Sequence, residues 1–190
     1  MVCYIITIIN EAGLLMQATA FSPHDHTHCV SSAISHAQSL CTDRGVRLTP
    51  VRKRVLELVW RSHQAIGAYE LLASLAKEGF NSAPPTVYRA LEFLSEQGLL
   101  HKLASINAYA GCCNPDTPHQ GHFLLCQDCH QAQELDSQHI TLALNLSADE
   151  HGFKIKRHSI EIVGICQGCL NNTKASDLNL WPKPYLQPQV

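Results

Sequence analysis

Two Cys-x-x-Cys pairs, Cys126/Cys129 and Cys166/Cys169, constrain this chain more than anything else in it. That spacing lets a tight turn aim two sulfurs at one point. Two such pairs in one short stretch supply four thiolates, the ligand set of a closed, tetrahedral structural zinc site. Such a site clamps the beginning of a small domain to its end. The 190 residues hold nine cysteines and twelve histidines. An odd cysteine count with two matched pairs reads as metal ligation in a reducing compartment, not as a disulfide framework, so a cytoplasmic location is expected.

The length fits one large domain or two small ones. The formal net charge of −2 does not by itself suggest a nucleic-acid partner. The charges are unevenly placed, however. Residues 40–103 carry nine Lys/Arg against six acids, a balance of +3, which leaves −5 for the rest. A basic half joined to an acidic half is expected where one half meets phosphate. At the N-terminus, Val2–Ile9 is apolar and Ala18-Thr19-Ala20 loosely resembles a signal cleavage site. No basic residue precedes that run, and Asn10 and Glu11 end it far short of the ~20 residues that span a bilayer, so neither secretion nor membrane insertion is expected. Met16 is an alternative start, which would leave residues 1–15 untranslated.

The pattern divides the chain into a flexible arm (1–32), a compact helical domain (33–103), a hinge (104–120), a small metal-binding domain (121–170) and a disordered tail (171–190). Ala33–Asp43 has apolar residues at helical spacing, with Gly45 as a stop. Thr49-Pro50 is a cap followed by a first-turn proline. A third helix starts near Ala68 and stops at Gly79. A fourth runs from Thr86 to Gln97 after Pro84-Pro85. Leu99–Leu103 and Ile106–Ala110 alternate as a short hairpin. Helices followed by a two-stranded ribbon suggest a winged helix-turn-helix. The fourth helix would then be the reader, offering Thr86, Tyr88 and Arg89 near its N-terminal end, while Arg52, Lys53 and Arg54 form a basic face on the second helix, from which Arg52 is also expected to contact DNA. Beyond the hinge, strands are expected at His122–Leu125, at Gln131–Leu135 and over the apolar positions from Phe153 to Ile165, with a helix at Asp136–His151. The fold class is α+β: an N-terminal winged helix-turn-helix and a small C-terminal α/β domain.

A second ligand group is less regular: His101, Cys112, Cys113, His119, His122 and Glu134. These residues come from the wing, the hinge and the acidic domain, so one ion held among them would tie the two halves together. Mixed N, S and O donors suit zinc, and one thiolate plus one carboxylate neutralises Zn²⁺. Which of the neighbours ligate is left open. A third tract, His24-Asp25-His26-Thr27-His28-Cys29, is either a polar arm or a weak metal site.

Three features together resemble the ferric uptake regulator family: Arg47-Leu48-Thr49-Pro50, the run APPTVYRALEFL from Ala83 to Leu94, and the two Cys-x-x-Cys pairs. The resemblance covers about residues 36–170 and is nearest to the zinc-sensing members. It implies a homodimer paired through the C-terminal domains, two zinc ions per subunit, and double-stranded operator DNA as partner, with no small-molecule substrate. It assigns Cys126, Cys129, Cys166 and Cys169 to a structural site, and His101, Cys112, His119 and Glu134 to a regulatory site. Tyr69, Tyr88 and Arg89 match positions that approach DNA. The function so implied is zinc-responsive repression of zinc-uptake genes. Iron-type members tend to carry an HHDH run before the first pair, whereas this chain has His119-Gln120-Gly121-His122. An alternative is a member sensing another metal or peroxide, though a Cys ligand disfavours harder metals. A zinc enzyme is less favoured, since no H-x-E or H-E-x-x-H motif is present and four thiolates leave no open position. The chain is expected not to be an enzyme.

Overall fold

The computed structural model describes residues 8–9, 15–16, 21, 26–62, 64–80, 83–117, 119, 121–135 and 138–172. The expectations for Ala18-Thr19-Ala20, for His24 and Asp25, and for the tail from residue 173 onward concern residues outside this set. Within the expected arm, β1 (Ile8–Ile9) pairs antiparallel with β2 (Leu15–Met16).

The first helix, α1 (His26–Asp43), begins seven residues before the expected Ala33, so the 1–32 arm is corrected at its end. Cys29 and Val30 extend the stripe of Ala33, Ile34, Ala37 and Cys41 and pack on the same core. Nothing in 26–43 breaks a helix, and the polar His/Thr run hid two apolar positions. The next helix, α2 (Pro50–Trp60), starts where expected: the Thr49 hydroxyl accepts from the Arg52 amide, and Pro50 occupies a position whose missing N–H costs nothing. Glu70 accepts from the Gly67 amide at 3.2 Å at the head of α3 (Ala68–Lys77). The fourth helix, α4 (Pro84–Glu96), takes both prolines into its first turn and so begins two residues before Thr86. Gly98, at φ 70°, ends it in a conformation that glycine adopts without strain. Val55, Leu71, Leu75, Leu91 and Leu94 are fully buried between these helices.

The wing is three-stranded. The hairpin strands are β4 (Leu100–Leu103) and β5 (Ala108–Gly111), with β5 in the centre; β3 (Ile66–Gly67) pairs with its other edge. A two-residue strand is too short to show alternation, which is why β3 was not foreseen. The expected second strand, 106–110, is shifted: residues 104–107 form the turn, with Asn107 at φ 49° and Ile106 exposed. Because β5 belongs to the wing, the expected hinge at 104–120 cuts through it; the connector runs from Cys112 to Gly121.

The C-terminal sheet has the order β7-β6-β8, with β6 (His122–Cys126), β7 (Ala132–Glu134) and β8 (Ile160–Gly164). β6 and β7 are antiparallel, whereas β6 and β8 are parallel and joined by a crossover through α5 (Gln138–Glu150). A short helix, α6 (Gln167–Asn172), follows β8 and takes in the first two residues of the expected tail. Phe153 and Ile155 are not in a strand, and Phe153 is exposed. A second apolar cluster joins the halves: Leu103 and Ala110 of the wing pack with Phe123, Leu125 and Ala132.

Candidate metal centres and nucleic-acid face

The parallel pairing of β6 with β8 puts Cys126 opposite Gly164, so both Cys-x-x-Cys turns leave the sheet at the same end. Cys126 Sγ lies 3.8 Å from Cys169 Sγ, and Cys129 Sγ lies 3.8 Å from Cys166 Sγ. A tetrahedron with ~2.3 Å zinc–sulfur arms has edges of roughly 3.8 Å. The sulfurs are therefore already spaced for one ion. The Cys166 amide donates to Cys126 Sγ at 3.3 Å. Burial opposes ionisation of Cys126, but amide donors at Cys129, Cys166 and Asp128 outweigh it and bring its thiol down to about 6. The Cys169 thiol is pushed far up, first by its contact with Cys166. Four sulfurs this close do not all hold negative charge without a cation among them, and a divalent ion removes that conflict.

The second cluster draws one residue from each of four places. His101 is on β4, Cys112 follows β5, His119 lies in the connector, and Glu134 ends β7. Their donor atoms all lie within 4.8 Å of one another. His119 Nε2 is 2.7 Å from Glu134 Oε1 and 3.5 Å from Cys112 Sγ. His101 Nε2 lies 2.9 Å from the same Glu134 oxygen but is buried without an aligned hydrogen-bond acceptor. Two imidazole nitrogens, a thiol and a carboxylate aimed at one point, one of them orphaned, fit a tetrahedral zinc ion. His119 Nδ1 lies 2.9 Å from the Thr117 carbonyl. Donation to that oxygen fixes the tautomer and leaves Nε2 for the metal. Glu134 Oε2 accepts from the Cys113 amide at 2.9 Å. The Glu134 side chain is only 6% exposed. Its burial pushes the carboxyl up, but His101, the Cys113 amide and His119 prevail and hold it below the ordinary value. Gly121 is needed here for closeness: a Cβ would stand 2.6 Å from the Phe123 ring and 2.9 Å from His101 Nδ1.

The two spare candidates fall elsewhere. Cys113 lines a cavity shared with α1. His122 is 2% exposed and stacks on His158, with Nε2 to Nε2 at 3.0 Å. Burial, then His158, pushes the His122 imidazole pKa down. His158 carried no motif in the sequence, since its partner lies in another strand.

On the expected nucleic-acid face, Thr86, Tyr88 and Arg89 are exposed at the N-terminal end of α4, opposite the buried Val87, Ala90 and Leu91. Tyr69 is 73% exposed at the head of α3. Arg52 is differently placed. Its guanidinium donates to the Arg47 carbonyl at 2.6 Å and sits 3.5 Å above the Phe93 ring, joining α2 to α4. Four further hydrogen bonds hold the wing side to the C-terminal domain. Glu161 of β8 accepts from the Ala104 amide at 2.7 Å and the Ser105 amide at 3.0 Å. Gln64 donates to the Cys129 carbonyl at 2.9 Å, and the Ala65 amide to the His130 carbonyl at 3.2 Å. No sequence signal pointed to Glu161 or Gln64. Among the described residues, no helix is long and apolar enough to cross a membrane.

The family model described as "Ferric uptake regulator family" matches residues 43–163. The chain belongs to the ferric uptake regulator family. Among its relatives in that family is the zinc uptake regulation protein of Escherichia coli (strain K12), 38% identical over 138 residues, which covers 72% of this chain and 81% of that protein. The peroxide operon regulator of Bacillus subtilis (strain 168) is 27% identical over 136 residues, covering 72% of this chain and 92% of that protein. Of solved structures, a zinc uptake regulator complexed with zinc and DNA superimposes with a TM-score of 0.71 at 36% identity, covering 75% of this chain and 96% of that one. Holo XcZur gives 0.67 at 38% identity, covering 74% and 98%. These likenesses bear out the α+β class with a DNA-binding half and a smaller C-terminal half.

Proposed function

We propose that this chain is a zinc-responsive DNA-binding repressor of zinc-uptake genes, acting in the cytoplasm. The observation that carries the reading is the cluster of His101, Cys112, His119 and Glu134, because its donors come from both halves of the molecule. An ion there would stitch the wing and connector to the C-terminal sheet and so fix the angle at which α4 is presented. The likeness to zinc uptake regulators, one of them complexed with zinc and DNA, supports zinc as that ion and DNA as the partner. A thiolate among the donors favours zinc over harder metals.

In this reading each subunit holds two zinc ions. The four-cysteine ion keeps the C-terminal domain folded, and the mixed-donor ion senses. Thr86, Tyr88 and Arg89 enter the major groove, Tyr69 approaches the backbone, and Arg52 braces the reader helix from behind. Two subunits place their readers ~34 Å apart on symmetric half-sites. Zinc meets the cost of ordering the halves, and by linkage DNA tightens zinc binding by the same factor. The family is one of regulators, and no catalytic role is assigned to any residue.

The test is fluorescence anisotropy on promoter DNA of the organism's own zinc-import genes, across buffered free zinc, with iron(II) and manganese(II) in parallel. Zinc alone is expected to switch binding on. Activation by another metal but not zinc would overturn the named function and leave the fold untouched. Binding that ignores metal removal would sink the hinge mechanism.

A further inference from the structure

The described part of the His-rich tract, at the start of α1, and Cys113 are left unused by that reading, yet the structure sets both beside one cavity. A cavity of about 50 Å³ lies between α1 and the connector. Its α1 wall is formed by His28, Cys29, Ser32, Ala33 and His36, a single helical stripe, and its opposite wall carries Cys112, Cys113 and Pro115. Two cysteines and two histidines beyond the sensing set thus line one small space. We propose that Cys29, His36 and Cys113, with His28, form a third and weaker site for zinc(II), or for a soft divalent ion of the same class.

Three observations support this. The donor chemistry is the Cys₂His₂ set that zinc takes in tetrahedral sites, and one ion fits the volume. His36 Nε2 stands 2.6 Å from Asp116 Oδ1. A carboxylate holding one ring nitrogen fixes the ring and raises the basicity of the other, which is how metal-bound histidines are commonly supported. Finally, Cys113 touches both places: it lines this cavity, and its amide donates to Glu134 of the sensing cluster at 2.9 Å. Among the described residues only the two clusters already described gather their donor atoms within 4.8 Å. Side chains on the first turns of α1 must therefore turn inward to close the third site, which makes it the weakest. An ion there would pin α1, part of the DNA-binding half, to the connector, and would report zinc concentrations above those that fill the sensing cluster. That regulatory consequence rests on the sensing role proposed above; the site itself does not.

The test is a zinc titration of the metal-free full-length chain against a competing chromophoric chelator, repeated with cobalt(II) as a spectroscopic probe of thiolate ligation. The wild type is expected to take up three equivalents per subunit. Cys29→Ser and Cys113→Ser should each lose only the weakest step. Asp116→Asn should weaken that step about 10- to 100-fold and leave the two tighter ones unchanged, an effect no general loosening of the fold would produce. The four-cysteine step reports in every variant that the chain is folded. A wild type with no uptake step that Cys29→Ser removes overturns the proposal, as does a third step that survives both Cys29→Ser and His36→Ala. Absence of the step that His101→Ala should remove, with the Cys29-dependent step intact, would count against the sensing reading alone.

Discussion

Glu134 has two imidazole nitrogens within 2.9 Å of one oxygen and accepts from an amide on the other, all in a nearly dry position. Among the described residues His101 Nε2 has no aligned hydrogen-bond partner, so removal of this side chain should empty the proposed sensing site without unsettling the fold. His101→Ala is expected to lose one zinc equivalent per subunit and to weaken zinc-dependent DNA binding at least tenfold, with a melting temperature near wild type. Cys126→Ser should instead unfold the C-terminal domain, because structural zinc supplies about 10–16 kcal/mol in small zinc-dependent folds. Calorimetry together with metal analysis distinguishes them, and indistinguishable mutants would refute the division into a structural and a sensing ion. The buried His122 makes a different prediction. Its folded pKa is depressed while an unfolded His stays near 6.5. Its contribution to stability is therefore present in full above 6.5 and is lost as pH falls from there through the lower folded value. Denaturant midpoints of the metal-free protein between pH 7.5 and 5.5 should fall more steeply for wild type than for His122→Gln; equal slopes would show that the His122–His158 pair does not govern this window. The four cysteines were legible because their spacing is local. Choosing Cys112 over Cys113 was not, since adjacent residues leaving a strand point to opposite sides and spacing alone does not say which side faces Glu134.

At the level of elements, caps and stops were readable where a side chain or a glycine enforces them: Thr49-Pro50, Gly79 and Gly98 each bound a helix as expected. The start of α1 and the edges of the wing were not, because fraying ends and two-residue strands leave little periodic signal. Contacts between elements were invisible in principle. The turn between β4 and β5 exposes two amides that Glu161 of β8 collects, and this latch needs no metal. It should bias the two halves toward the arrangement that zinc completes. Glu161→Ala is expected to weaken DNA binding several-fold at saturating zinc and to lower zinc affinity at the sensing site by a comparable factor, leaving the four-cysteine site unchanged. The check is a pair of titrations, DNA at fixed zinc and zinc without DNA. A variant that alters neither would show that the wing turn and β8 touch without energetic consequence.

Considered as a whole molecule, a single subunit leaves an apolar face uncovered. No residue of α5 is buried, and Leu142 and Leu146, one helical turn apart, are 58% and 57% exposed. Phe153, Ile162 and Val163 are also exposed in the same C-terminal half. So much aliphatic and aromatic surface in a half that carries an excess of acids is what a second copy would cover, and the pairing expected of the family would supply that copy. The charges agree, since the basic excess lies in the other half, free for DNA. The double change Leu142→Asp/Leu146→Asp should therefore leave both metal clusters and the winged domain intact, because neither side chain is part of a core, yet halve the mass seen by sedimentation equilibrium. Loss of the partner makes the second half-site contact a separate bimolecular event. Linked contacts of this kind gain on the order of 10²–10⁴ in avidity, so operator affinity should drop by that order while zinc stoichiometry per subunit stays constant. A variant that remains dimeric would move the interface away from α5. A variant that turns monomeric with undiminished operator affinity would mean that one reader helix suffices, and the two-fold operator geometry would have to be abandoned.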